Sequence, residues 1–95
     1  MISDERQKLL AKNLVAYSIS VQKGEKVWID AFGIAVSFVN ALVDAVYAAG
    51  GQPYVFLHDR RVERAVLKNV TDEQLEHMAA PAARLMPEMQ CYIGV

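Results

Sequence analysis

The stretch that decides the fold runs from Lys26 to Asp59. Lys26-Val27-Trp28-Ile29-Asp30 is rich in β-branched and aromatic residues and stops at an acid followed by Ala31-Phe32-Gly33, which predicts a short strand. An apolar segment, about Ile34 to Ala49, follows and predicts a helix. Gly50-Gly51 closes it as a C-cap pair, and Pro53 lies just beyond, where a helix cannot continue. Tyr54-Val55-Phe56-Leu57 is then a continuous apolar run leading into His58-Asp59. Unbroken apolar runs suit strands covered on both faces, as in parallel sheets. The stretch therefore reads as strand, crossover helix, parallel strand.

Working outward toward the N-terminus, Ser3 is a plausible cap, with Asp4 and Glu5 in a first turn where the helix dipole favours acids. Leu10, Leu14 and Tyr17 fall at i, i+4 and i+7 and predict an amphipathic helix of about four turns. Gln22-Lys23-Gly24-Glu25 reads as a turn. Toward the C-terminus, Asp59 is a candidate cap for a helix from Arg60 to about Lys68 with Val62, Ala65 and Val66 inward. Thr71 and Gln74 form a capping box for a further helix. Leu75, Met78, Ala79, Ala82, Leu85 and Met86 carry its apolar face. Pro81 predicts a kink or break near Ala80. Cys91-Tyr92-Ile93-Gly94-Val95 reads as a third strand. The order α-β-α-β-α-α-β predicts an α/β fold, a three-layer Rossmann-like or flavodoxin-like half with a short parallel sheet of about three strands.

Composition bounds the function. At 95 residues, the chain allows one domain, 1–95. Ten basic and eleven acidic residues give a net charge of −1, which disfavours a nucleic-acid partner. One cysteine excludes a disulfide framework and a Cys-rich zinc module. The mixed-charge start lacks the pattern of a signal peptide. Between Ala31 and Gly51 the only charge is Asp44, and a charge at a bilayer centre costs about 2.5–3.5 kcal/mol. Ser37, Asn40 and Asp44 form one narrow polar stripe, so this segment reads as a buried helix of a globular domain and not as a membrane span.

In open parallel sheets ligands bind beyond the carboxyl ends of the strands. Those ends place Asp30, His58, Asp59 and Arg60 around a candidate ligand-binding crevice. Against this stands a plainer reading, with Asp30 and Asp59 as helix caps and His58 as a packed loop residue. Phe32-Gly33-Ile34 has one glycine where a dinucleotide fingerprint needs three. Glu73 and His77, at i and i+4, suit a surface ion pair better than a metal, and Cys91 suits a small core residue better than a nucleophile. Arg60, Arg64 and Lys68 make a basic helix face best read as solvated. No catalytic residue and no metal ligand is assigned, and no cofactor is expected in this chain.

A resemblance adds to this. Leu14-Val15-Ala16-Tyr17-Ser18-Ile19 leads to Val21 and then to Gly24-Glu25-Lys26-Val27-Trp28-Ile29; Tyr47-Ala48-Ala49-Gly50-Gly51-Gln52-Pro53-Tyr54-Val55 follows the apolar helix. Across residues 7–57 this resembles the N-terminal region of the aminopeptidase T / aminopeptidase S family of metallo-aminopeptidases, also called thermophilic metalloproteases. Gly51 stands where that family usually has Ala, and Glu25 where it usually has Asp. The resemblance implies a two-domain, dimeric, cytoplasmic enzyme that removes N-terminal residues from peptides with a pair of divalent metals, zinc or cobalt. It places the metal ligands, which are Glu, His, Asp and Tyr side chains, in a C-terminal half whose motifs are not in this sequence.

Two physical oddities point the same way. A three-stranded parallel sheet has two open edges, and the Ile34–Ala49 helix is apolar over more than one face. Both suit an N-terminal fragment whose partner is its own C-terminal domain. The alternatives are a free-standing α/β interaction module that self-associates, and a phosphate- or nucleotide-binding half-domain using Asp30, His58 and Arg60.

Overall fold

A computed structural model describes residues 2–95, with side chains from Glu5 onward. The elements are α1 (Ile2–Asn13), continued by a π-helical segment Leu14–Ser18; β1 (Lys26–Phe32); α2 (Val36–Ala48); β2 (Gln52–His58); α3 (Arg60–Leu67); α4 (Asp72–Leu85), followed by a 3-10 turn Met86–Glu88; and β3 (Cys91–Gly94). The α/β order and the three-stranded parallel sheet are those the sequence predicts. The strand order is β2-β1-β3, with both neighbours parallel to β1. This is the beginning of the flavodoxin-like order, and its reversal of direction falls between β1 and β3.

Alternation along β1 divides the sheet into two faces. Val27, Ile29 and Ala31 are buried on one side, where Val27 and Ile29 meet Ala11 and Val15 from the first helix and Leu42 and Val46 from α2. Ile93 of β3 completes that core. The polar stripe Ser37, Asn40 and Asp44 of α2 is exposed, as a helix packed on one face requires. The other face carries Trp28, Asp30 and Phe32. Trp28 is buried under a stacked Phe56, ring centroids 4.2 Å apart.

Several local expectations change. The first helix is not one uniform run, because its last turn loosens into a π-helix over Leu14–Ser18. Helix α1 is already formed at Ile2, one residue before the expected cap at Ser3, whose side chain lies outside the described residues. The strands reach further than their apolar cores: β1 to Phe32, and β2 from Gln52 through Pro53 to His58. Pro53 is tolerated because β2 is an edge strand. Helix α4 is not broken at Pro81. Pro81 is exposed, so water can take the His77 carbonyl that loses its amide partner.

The largest departure is in α3 and α4. Their apolar sides are expected inward, yet neither helix carries a buried residue. Val62 is 60% exposed and Met78 53%. The radius of gyration is 15.2 Å, against about 12 Å for a compact chain of this length. Local signals form these helices, namely the Asp59 cap and the Thr71–Gln74 capping box, both present. Among the described residues, nothing buries the faces so formed. Among the described residues, no helix is long and apolar enough to cross a membrane.

Candidate functional site

The polar side chains of the second sheet face gather at the carboxyl end of the strands. Phe32 pairs in register with His58, and Asp30 with Phe56, so Asp30 and His58 are diagonal neighbours on one face. Asp30 Oδ1 lies 2.7 Å from His58 Nε2. The other ring nitrogen, Nδ1, lies 2.9 Å from Glu63 Oε2 on the first turn of α3. From β3, the Tyr92 hydroxyl donates to Asp30 Oδ2 at 2.8 Å. One carboxylate thus ties all three strands together, and the imidazole passes the network on to α3.

Aromatic stacking fixes the ring. Phe32 lies parallel to His58, centroids 4.5 Å apart and 12° between planes. Arg60 sits over the other ring of this pair, its guanidinium carbon 5.2 Å from the Phe32 centroid, within cation–π range.

The charge states follow from these contacts. Burial alone would push the Asp30 carboxyl up. Donors from His58, Trp28 and Tyr92 outweigh it and hold the group below its ordinary value. The buried indole N–H of Trp28 contributes to this without forming a hydrogen bond. The hydrogen bond to Asp30 raises the His58 pKa, burial opposes, and Glu63 adds to the rise. An imidazole flanked by two carboxylates favours the form with two N–H donors. The hydrogen bond to Asp30 also pushes the Tyr92 hydroxyl up.

Of the four residues the sequence singles out, Asp30, His58 and Arg60 come together, and Asp59 does not. Asp59 accepts the Arg61 amide as the cap of α3 and takes the Arg61 guanidinium at 2.9 Å, which pulls its carboxyl down to about 2. It is the cap the plainer reading foresees. Asp30 is not a cap, because α2 starts after Ala35. His58 closes β2 instead of lying in a loop. Glu63, Tyr92 and Phe32 are the members that sequence reading misses. Tyr92 pairs with Trp28 and so shares its face, but that register is set by tertiary pairing. Glu63 falls on the turn after the Asp59 cap, a spacing open to many surface acids.

This arrangement suits a closed polar clamp better than an exposed acid–base pair, since neither ring nitrogen of His58 is free to reach a substrate. The Cys91 thiol is raised by burial and by Glu25, 3.7 Å away, so it is a poor nucleophile at neutral pH. Among the described residues, no group of three or more His, Cys, Asp or Glu side chains could hold a metal ion.

Residues 3–94 match the family of thermophilic metalloproteases (M29). The chain belongs to the thermophilic metalloprotease family. A solved structure, wild-type AmpT from Thermus thermophilus, is similar in fold, with a TM-score of 0.73 at 23% identity. That match covers 95% of this chain and 24% of the AmpT chain, so this chain spans about a quarter of the neighbour's length. No curated protein sequence matches. The family implies divalent metals for the full enzyme, but the donors of this segment do not fit such a centre. The His58 nitrogens are both occupied by carboxylates, and His77 stands exposed on α4.

Proposed function

We propose that this chain is the N-terminal α/β domain of a metal-dependent aminopeptidase. In this reading it is a scaffold that carries part of the substrate-cavity wall and lacks the catalytic metal site. The observation that carries it is the family match over residues 3–94, with no converging metal ligands among the described residues. The partner is the enzyme's own C-terminal domain, which would supply two divalent metals, zinc or cobalt, and act on peptides. The uncovered apolar sides of α3 and α4 support a further partner surface. Asp30, His58 and Arg60 then serve as a built wall at the crevice end of the sheet, with Asp59 as the cap of α3. A cytoplasmic homodimer completes the proposal.

The test is the size and activity of the native polypeptide. Intact mass from source cells is expected several times above 10.6 kDa. That species should hydrolyse leucine-type chromogenic substrates and lose activity with chelator, whereas the 95-residue chain alone should be inactive with zinc or cobalt added. A native species of 10.6 kDa would overturn the proposal.

A second reading is favoured by the same exposed apolar faces together with two open sheet edges. It is a free-standing α/β module that buries them by self-association. It requires a native 10.6 kDa chain whose sedimentation depends on concentration. A monomer at all concentrations would exclude it.

A further inference from the structure

The clamp at the end of the sheet has a property that a scaffold does not need. His58 is the sole hydrogen-bonding tie from the sheet to a side chain of α3 among the described residues, through Glu63 at 2.9 Å. No residue of α3 is buried, and its other mooring is Arg60 over Phe32, the ring stacked on His58. Both moorings of the helix therefore converge on one imidazole.

We infer that the Asp30–His58–Glu63 array is a proton-operated latch, holding α3 to the sheet while His58 is an imidazolium and releasing it when His58 is neutral. The imidazolium donates from both nitrogens, so both carboxylates are satisfied at 2.7 and 2.9 Å. Loss of one proton leaves one N–H and one lone pair. Exposure decides which carboxylate keeps the donor. The Asp30 side chain is 13% exposed, and its second oxygen is already committed to Tyr92. The Glu63 side chain is 45% exposed and can be rehydrated. Leaving the less exposed acceptor unmet is the costlier outcome. The remaining proton therefore stays on Nε2 for Asp30, and the Nδ1 lone pair faces the Glu63 carboxylate and repels it.

The other charged groups do not change this order. Asp30 from β1 and Tyr92 from β3 hold the buried side of the ring. Arg60 of α3 faces it across Phe32, and Asp59 at the cap is engaged by Arg61. The segment freed is the start of the crossover from β2 to β3, at the carboxyl end of the strands, the end where open sheets take ligands. The latch would thus regulate access to that crevice, and it stands whether or not the aminopeptidase proposal holds.

The test uses the full chain and follows two signals from about pH 5 to about pH 8. Nitrogen NMR of the His58 ring reports its protonation. Hydrogen exchange of the Arg60–Leu67 amides, corrected for intrinsic pH dependence, reports attachment of α3. Protection in α3 should fall about threefold to fivefold with the same midpoint as the ring, while β1 is unchanged. Glu63→Gln supplies the control. Its amide oxygen can accept from the imidazolium, and its amide N–H can donate to the neutral ring, so protection should no longer depend on pH. Protection in the native chain that ignores pH, midpoints that do not coincide, or the same fall in E63Q would each overturn the latch.

Discussion

Asp30 Oδ1 sits 2.7 Å from His58 Nε2, a diagonal pair across the parallel β1–β2 ladder. The middle strand and an edge strand are thereby joined at the end where both pass into loops, and Tyr92 extends the joint to the third strand.

Replacing Asp30 by Asn keeps the shape and removes the charge. The imidazolium loses its better partner, and Tyr92 donates to a neutral acceptor. The expected loss is about 1.5–3 kcal/mol in denaturant unfolding, the range for hydrogen bonds to charged groups. The His58 titration should move down toward its ordinary value of 6.5. An unchanged His58 titration in Asp30→Asn would show that the bridge does not set the ring's charge.

Stability should depend on pH on two sides. The folded His58 binds its proton more tightly than the unfolded one, because Asp30 raises its pKa from 6.5. Its contribution is therefore full below the unfolded value and is lost as pH rises through the folded value. Asp30 has the opposite sign, since its folded pKa lies below 3.8. Its contribution is present above 3.8 and is lost as pH falls through the folded value. Urea midpoints measured across pH should show an alkaline decline near the His58 titration and an acid decline below it. His58→Gln should flatten the alkaline limb and also weaken the acid limb, since His58 is the first donor that holds the Asp30 carboxyl down. A decline of equal slope in that variant would assign the effect elsewhere.

Helix α4 has no buried residue, so local terms decide whether it forms. Thr71 Oγ1 accepts the Gln74 amide at 3.1 Å, and Gln74 Oε1 accepts the Thr71 amide at 3.0 Å. Thr71→Ala removes the first bond, at about 1 kcal/mol of local helix stability. Amide protection over Asp72–Leu85 should drop severalfold, with the global unfolding midpoint unmoved. A shift of the global midpoint equal to the local loss would mean that α4 is part of the cooperative core.

The secondary structure was legible because its determinants are local. Thr71 with Gln74, Gly50-Gly51 before Pro53, and the β-branched run at Val27–Ile29 act within a few residues of themselves. Parallel pairing followed from the alternation of strands and helices. The burial of α3 and α4 was not legible, because an apolar stripe such as Val62 with Val66 specifies that a face wants covering and not what covers it. The site was half legible. Asp30, His58 and Arg60 follow from the rule that strand ends face crevices. Glu63 and Tyr92 depend on register and helix phase, which a single sequence does not encode locally.

Among the glycines, Gly51 is the one that approaches its surroundings most closely. A Cβ there would lie 2.8 Å from Val21 Cγ1, 3.0 Å from Val46 Cγ1 and 3.2 Å from the Glu25 carbonyl oxygen. Val21 and Val46 both belong to the buried core, and neither can withdraw without opening a gap. Gly51→Ala should therefore destabilise the chain by about 1–3 kcal/mol, the usual range for overpacking a filled core. The clash is shortest with Val21, so Val21→Ala should recover part of the loss when combined with Gly51→Ala, although alone it removes packing. Equilibrium unfolding of the two single variants and the double measures the coupling. Strict additivity would mean that Val46 or the Glu25 carbonyl, not Val21, excludes the methyl group.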